Sequence, residues 1–482
     1  MIDSKSLTML SDFYEFTMAG GYFNSPVKDT VGYYDMYFRT VPDKGGYVVS
    51  CGLESVVDYL SNLHFTDEDV EYLRGKKLFS EEFLEYLRNF KFECDVWAIP
   101  EGTPIFPNEP IVTVRGPLIQ AQFIETMVLL TVNHQSLIAT KANRIVRAAE
   151  GRPVMEFGSR RAQGYDGAIY GARAAYIGGA SGTACTISDK MFSVPALGTM
   201  AHSWIQSFDT EYEAFSAYAK TYPDSCTLLV DTYNVLKSGV PNAIKVFEEV
   251  LKPMGKRPKG IRIDSGDITY LSKKARVMLD EAGYDDVSIV ASNSLDEYII
   301  RDILKQGAKV DSFGVGERLI TSKSEPVFGG VYKLVAMEYD GEIIPKIKIS
   351  ENVSKITTPC FKKVYRLFSN ETNMAIADVL TLPDEVIDGE EYEIFDTNNT
   401  WKRKTVKNFT AKELMVQIFK NGECVYDSPD LGTIREYCRG EIEKIWEEVK
   451  RFENPHIYYV DMSQKLWDIR YNLLSQHNKG AL

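Results

Sequence analysis

Strand and helix units repeat along the middle of this chain, and polar residues gather wherever a strand ends. Together these features predict an α/β fold built on an irregular (β/α) barrel. From about residue 153, short apolar runs alternate with helical stretches. Four of the runs begin near 228, 260, 288 and 311, at spacings of 32, 28 and 23 residues. That is the length of a strand, a turn, a helix and a return, and parallel strands require such crossovers. The run PVMEFGSRR closes on Arg160-Arg161, LLVDTYN on Asp231-Thr232, and KGIRIDSGD on Arg262, Asp264, Ser265, Gly266 and Asp267. SIVASNSLDE closes on Ser292-Asn293 and DSFGVGERL on Gly314-Val315-Gly316-Glu317. A barrel sets its site at the C-terminal ends of its strands. Signatures from this many successive strands converge more naturally around a ring than along a doubly wound open sheet, the alternative reading.

The elements on either side follow in order. Residues 1–140 read as a mixed α/β domain. A helix over 11–22 carries a capping signal at Ser11-Asp12 and apolar residues at helical spacing, with Gly20-Gly21 closing it. An aromatic, β-prone stretch over 31–41 leads out through Arg39. Two helices with acidic first turns follow, Thr66–Leu73 and Ser80–Phe90. Short strands from Val96 to Val114, punctuated by Pro and Gly, suggest a small sandwich or barrel. A long helix from about Ile119 to Glu150 holds His134 among apolar neighbours and leads into the barrel domain, 141–345. The C-terminal α+β domain, 346–482, packs on the other two. Asp340-Gly341 and Asp388-Gly389 mark hairpin turns, a helix over Thr433–Phe452 has one apolar face, and His456 in the tail reads as structural.

Composition limits the function. The chain has 482 residues, 44% apolar and 26% charged, a prior for about three domains with ample core. A net charge of −13 argues against general affinity for nucleic acid or anionic membranes. Seven scattered cysteines without a C-x-x-C pair signal neither a zinc site nor a disulfide framework. No leader-like N-terminus and no apolar run of about 18 residues is present, so a reduced, cytoplasmic protein is expected.

Each strand-end signature alone has an ordinary structural explanation. Adjacent arginines are usually solvated or paired, and IDSGD suits an Asx-turn followed by a helix cap. Their recurrence at equivalent strand ends points to a ligand. Glycines with Ser or Thr at helix starts offer backbone N–H groups to phosphate. Arg160 and Arg262 offer bidentate charge. Asp231, Asp264 and Asp267 suit ribose hydroxyls or a magnesium-bound pyrophosphate. His202, one of five histidines, lies in PALGTMAHSWIQSF between the first arginine signature and the first aspartate signature. The inventory describes a phosphorylated sugar with a second anionic group.

The set EFGSRRAQG, GTMAHSW, LLVDTYN, IRIDSGD, GVG followed by GGVYKLV, and NPHIYYVD resembles the nicotinate phosphoribosyltransferase family over nearly the whole chain. The resemblance implies an irregular barrel of the type II phosphoribosyltransferase kind and a homodimer with shared active sites. It implies a ligase-class reaction: nicotinate, phosphoribosyl pyrophosphate, ATP and water give nicotinate mononucleotide, pyrophosphate, ADP and phosphate, in NAD salvage, with Mg2+ as cofactor. His202 would be the residue phosphorylated by ATP. Tyr14, from the other subunit, and Phe157 would stack on the pyridine ring. Arg160, Thr199 and Arg262 would contact nicotinate or the adjoining phosphoribose. Arg39, Asp231, Asp264, Ser265, Gly266, Gly314 and Gly316 would bind phosphoribosyl pyrophosphate. Glu317 stands where some relatives have Thr, and a carboxylate there should point away from the 5-phosphate or approach magnesium. Two alternatives remain at this point: a nicotinamide phosphoribosyltransferase, which places an Asp where this chain has Ala180, and a non-catalytic phosphosugar-binding paralogue. The retained His202 counts against the second.

Overall fold

The computed structural model describes residues 7–397 and 399–479. The chain forms two compact units, one from residues up to 137 together with 327–482, the other from 138–326.

In the first unit, the N- and C-terminal segments share one antiparallel sheet. Its order is 342–345, 331–339, 31–37, 112–117, 95–98, 416–420 and 423–424. The strand Val31–Tyr37 lies between Val331–Tyr339 and Val112–Pro117. The strands over 95–117 therefore do not form the self-contained sandwich or barrel that was expected. Their edges need partners, and they find them in Val31–Tyr37 and Val416–Lys420, while Pro104–Ile105 pairs with Val48–Val49. A second sheet, in order 409–413, 363–369, 375–381 and 460–462, holds a fully buried Arg366–Asp378 pair.

Several helix boundaries moved for local reasons. The first helix spans Phe13–Phe23, running through Gly20-Gly21, and Asp12 occupies its N-cap without a side-chain hydrogen bond. The two acidic helices are Asp67–Gly75, closed by a capping box from Thr66, and Glu81–Arg88, capped by Ser80. The long helix is two, Leu118–Phe123 and Glu125–Ala148, because Ile124 sits at φ −92°, ψ 0°. The late helix stops at Glu443. Beyond it the chain turns, burying Ile445 and Val449 and stacking Trp446 on His456 at 5.7 Å.

The second unit is built on six parallel strands in order 182–183, 154–156, 312–315, 288–292, 260–263 and 227–229. A parallel bridge from Thr183 to Ala196 continues the sheet beyond its edge strand. Helices Gly164–Ile177, Glu211–Thr221, Ile268–Glu281 and Glu297–Lys305 supply crossovers. Apolar strand residues such as Leu228, Ile261, Ile263 and Ile289 are fully buried, so the polar signatures are left to the strand ends.

Candidate active site

Of the strand-end residues of the second unit, Asp231, Arg262, Asp264, Ser265 and Ser292 join Thr199 and His202 in one hydrogen-bonded network centred on Asp231. This side chain is completely buried just after the strand Thr227–Leu229. It receives the Asp264 backbone N–H at 3.1 Å and the Ser265 hydroxyl at 2.5 Å, and lies 3.3 Å from His202 Nε2. His202 opens the short helix His202–Gln206 and is partly exposed. A carboxylate on one ring nitrogen fixes the orientation of the imidazole and leaves the other nitrogen for a second partner.

Arg262 organises the neighbouring half of the site. Its Nε donates to the Ser292 hydroxyl at 2.9 Å, Nη1 to the Thr199 hydroxyl at 3.3 Å and Nη2 to Asp264 Oδ1 at 3.0 Å. Ser292 also donates to Asp264. The guanidinium lies 5.7 Å from the Phe157 ring centroid, within cation–π range. Glycines make room for that ring: a Cβ on Gly314 would stand 2.6 Å from Phe157 Cδ2, and one on Gly316 3.2 Å from the Phe157 carbonyl. At Gly266 the IDSGD turn takes φ +81°, which a side chain rarely adopts. Asp267 caps the following helix, accepting from Tyr270 N–H at 2.8 Å. Arg160 is exposed on the turn Ser159–Arg161 just beyond Phe157. Glu317 is held by Lys323 at 2.5 Å, which keeps its carboxyl below the usual range. Its charge is thereby compensated away from the glycine loop.

Tyr14 and Arg39 belong to the first unit. Tyr14 is an exposed residue of the helix Phe13–Phe23, and its phenol is pushed up by partial burial and by Glu125. Arg39 follows the strand Val31–Tyr37, with Nη2 3.5 Å from the Tyr37 hydroxyl.

Sequence reasoning missed several groups. Glu156 is fully buried, accepts from the Thr183 hydroxyl at 2.6 Å and from the Gly158 N–H, and so shapes the turn that carries Phe157. Burial raises its pKa. A carboxylate inside the apolar run PVMEF was the available signal. The Ser159 and Thr232 hydroxyl oxygens are buried without a partner among the described residues, beside the two signatures that carry Phe157 and Asp231. Lys333, in the first unit, has its pKa lowered by burial, with Lys348 and Arg39 acting in the same direction.

No group of three or more His, Cys, Asp or Glu side chains is set up to hold a metal among the described residues. Both Asp231 oxygens and one Asp264 oxygen are already engaged. A magnesium ion, were one bound, would find Asp264 the least engaged of these carboxylates, since only its Oδ1 accepts hydrogen bonds among the described residues.

Comparison with known proteins then settles the family. Sequence patterns for the nicotinate phosphoribosyltransferase N-terminal domain, the nicotinate phosphoribosyltransferase family and the corresponding C-terminal domain match residues 9–133, 153–372 and 361–470. The chain belongs to the nicotinate phosphoribosyltransferase family. It is 44% identical to a nicotinate phosphoribosyltransferase of Bacillus subtilis (strain 168), across 96% of this chain and 94% of the relative. It is 38% identical to nicotinate phosphoribosyltransferase pncB2 of Mycobacterium tuberculosis, across 95% and 92%. The crystal structure of human nicotinic acid phosphoribosyltransferase superposes with a TM-score of 0.83 at 26% identity, across 96% of this chain and 100% of that one. Among the described residues, no helix is long and apolar enough to cross a membrane.

Proposed function

We propose that this chain joins nicotinate to the phosphoribosyl group of phosphoribosyl pyrophosphate, with ATP hydrolysis coupled to the transfer through His202. The observation that carries the reading is the network joining Asp231, Ser265, Asp264 and Arg262 at adjoining strand ends to His202 and Thr199.

In the transfer, the bond from ribose C1′ to pyrophosphate breaks and a bond from C1′ to the pyridine nitrogen forms. Positive charge develops on the ribose, as in glycoside cleavage. The ring nitrogen is already a nucleophile, so positioning matters more than a general base. Phe157 packs on the ring, joined by Tyr14 from the other subunit of a homodimer. Arg262, with Thr199 and Arg160, receives the nicotinate carboxylate or the adjoining phosphoribose. Gly314, Gly316 and Gly266 let the backbone approach the 5-phosphate, while Asp231, Asp264 and Ser265 order the ribose side. Arg39 takes the pyrophosphate. Asp264 would hold a magnesium ion, which would supply charge neutralisation on that leaving group. Ala180 is buried, with no carboxylate there to repel an anionic acceptor, which supports nicotinate over nicotinamide.

His202 takes the γ-phosphoryl group as ADP leaves, and water later releases phosphate. A proton on Nε2, donated to Asp231, leaves the Nδ1 lone pair to accept it. The phosphoryl group adds about two negative charges, and so acts by reordering this network rather than as a countercharge to anionic substrates. The enzyme is read as cytoplasmic. Turnover measured with nicotinate, nicotinamide and quinolinate tests the acceptor. Nicotinate is expected to be preferred, and equal or greater use of nicotinamide overturns the choice.

A further inference from the structure

Glu156 ends the strand Val154–Glu156 and is fully buried, directly opposite Thr183 of the parallel neighbour Gly182–Thr183. A carboxylate in such a place is costly unless both oxygens find donors. Both do. Oε1 accepts from the Gly158 N–H, in the turn just after Phe157, and Oε2 accepts from the Thr183 hydroxyl at 2.6 Å. The Thr183 hydroxyl accepts in turn from the Cys185 N–H at 3.0 Å, so its own proton is committed to Glu156. Burial pushes the Glu156 carboxyl up, and its two donors act the other way.

Thr183 also ties down the segment that carries Thr199 and His202. Its N–H donates to the Pro195 carbonyl at 2.9 Å, and its carbonyl accepts from the Leu197 N–H at 2.8 Å. A Cβ on Gly182 would collide with the Pro195 carbonyl, so the two stretches meet at their backbones. From Leu197 to Ala201 the chain has no regular secondary structure, and the helix His202–Gln206 follows. The bridge at Thr183 is therefore the fixed end of that segment. Arg262 makes a second link between the same stretches, lying 5.7 Å from the Phe157 ring centroid and donating to the Thr199 hydroxyl at 3.3 Å. The sheet does not need the Glu156–Thr183 side-chain pair, because these residues are already paired through the backbone, with the Ala184 N–H on the Glu156 carbonyl at 2.8 Å. An apolar pair of similar volume would fill the same space without burying a carboxylate.

We propose that Glu156 is a positioning residue for the transfer: with Thr183 it braces the turn bearing Phe157 against the segment bearing Thr199 and His202, and so sets the width of the slot that receives nicotinate. Every group in the brace belongs to the second unit. That role rests on the reading above, in which Phe157 and Thr199 meet the acceptor.

The test compares full-length wild type, Glu156→Gln, Thr183→Val and Thr183→Ser by steady-state kinetics and backbone hydrogen exchange, with Tm recorded. Glu156→Gln keeps the size but offers one acceptor oxygen to two donors. Thr183→Val keeps the shape and the backbone bridge and removes only the hydroxyl, and Glu156→Gln supplies the same readouts should Thr183→Val not fold. In both, KM for nicotinate is expected to rise roughly tenfold or more, as loss of one hydrogen bond to a charged acceptor implies. KM for phosphoribosyl pyrophosphate should stay within about twofold, and Thr183→Ser should stay near wild type. Amides of 157–158 and 197–201 are expected to exchange roughly tenfold faster in Glu156→Gln and Thr183→Val. A purely structural pair would lower Tm and the active fraction, hence kcat, and leave the nicotinate KM alone. A nicotinate KM within about twofold of wild type in folded Thr183→Val overturns the inference, as does a Thr183→Ser protein impaired as much as Thr183→Val. Failure of the reaction itself is read separately: a wild type that does not turn over nicotinate overturns the proposed function. The brace is then judged by exchange alone, standing if those amides exchange faster in Thr183→Val and overturned if they do not.

Discussion

Replacing Asp231 with Asn changes one atom at the centre of the network. The wild-type carboxylate accepts from the Ser265 hydroxyl and the Asp264 N–H on Oδ2 and faces His202 Nε2 with Oδ1. Asn keeps a single acceptor oxygen. If that oxygen stays with Ser265 and Asp264, the new amide N–H points at Nε2, which must then be the acceptor, and the imidazole proton moves to Nδ1. The nitrogen proposed to receive phosphate is then protonated. If the amide turns the other way, the Ser265 hydroxyl and Asp264 N–H face a donor inside a buried pocket. Either way one contact to a charged acceptor is lost, a change of about 1.5–3 kcal/mol. That corresponds to a roughly 10- to 150-fold slower phosphorylation of His202. The assay is rapid quenching with γ-labelled ATP and counting of acid-labile phosphate on the protein, with the melting temperature recorded to confirm folding. A folded Asp231→Asn protein phosphorylated within about twofold of wild type would refute the role of Asp231 in orienting His202.

Three further changes test other parts of the account. Gly314→Ala places a methyl 2.6 Å from the Phe157 ring, a clash of about 1–3 kcal/mol; KM for nicotinate should rise roughly tenfold with less change for phosphoribosyl pyrophosphate, and an unchanged nicotinate KM removes Phe157 from the ring site. Glu15 is fully buried and accepts from the Thr126 N–H and hydroxyl, and burial pushes its carboxyl from 4.5 up to about 7. The folded state therefore holds an extra proton between those values, and stability falls as pH rises through them; Glu15→Gln should flatten that part of the Tm–pH curve, and an unaltered slope would assign it elsewhere. Arg366 makes two contacts to Asp378, at 2.8 and 2.6 Å, in a fully buried pair; Arg366→Leu strands that carboxylate and should destabilise by about 3–5 kcal/mol, so a wild-type melting temperature would show the pair to be dispensable.

The parallel-strand unit was legible because each strand announces itself twice, by an apolar run and by the polar residues that close it. Strand length and crossover length then imply neighbouring parallel strands from 227 to 315, though not the pairing of 312–315 with 154–156. The first unit was less legible because its main sheet joins residues far apart in sequence: Val31–Tyr37 pairs with Val331–Tyr339, and no local pattern encodes a partner that distant. The strands over 95–117 looked complete because their periodicity reports burial but not which edge is covered. The helix expected to reach Phe452 ends at Glu443 although Trp446 keeps helical spacing, and beyond that end Trp446 stacks on His456. At the site, residue types pointed to phosphate and ribose chemistry, whereas the linkage was not readable. Nothing in LLVDTYN says that Asp231 meets both His202 and Ser265.

The central claim is that His202 couples ATP hydrolysis to phosphoribosyl transfer. The direct measurement is nicotinate mononucleotide formation by wild type and His202→Ala, each with and without ATP. The account predicts ATP stimulation in wild type and residual transfer without stimulation in His202→Ala. Full ATP-stimulated turnover by His202→Ala would contradict it.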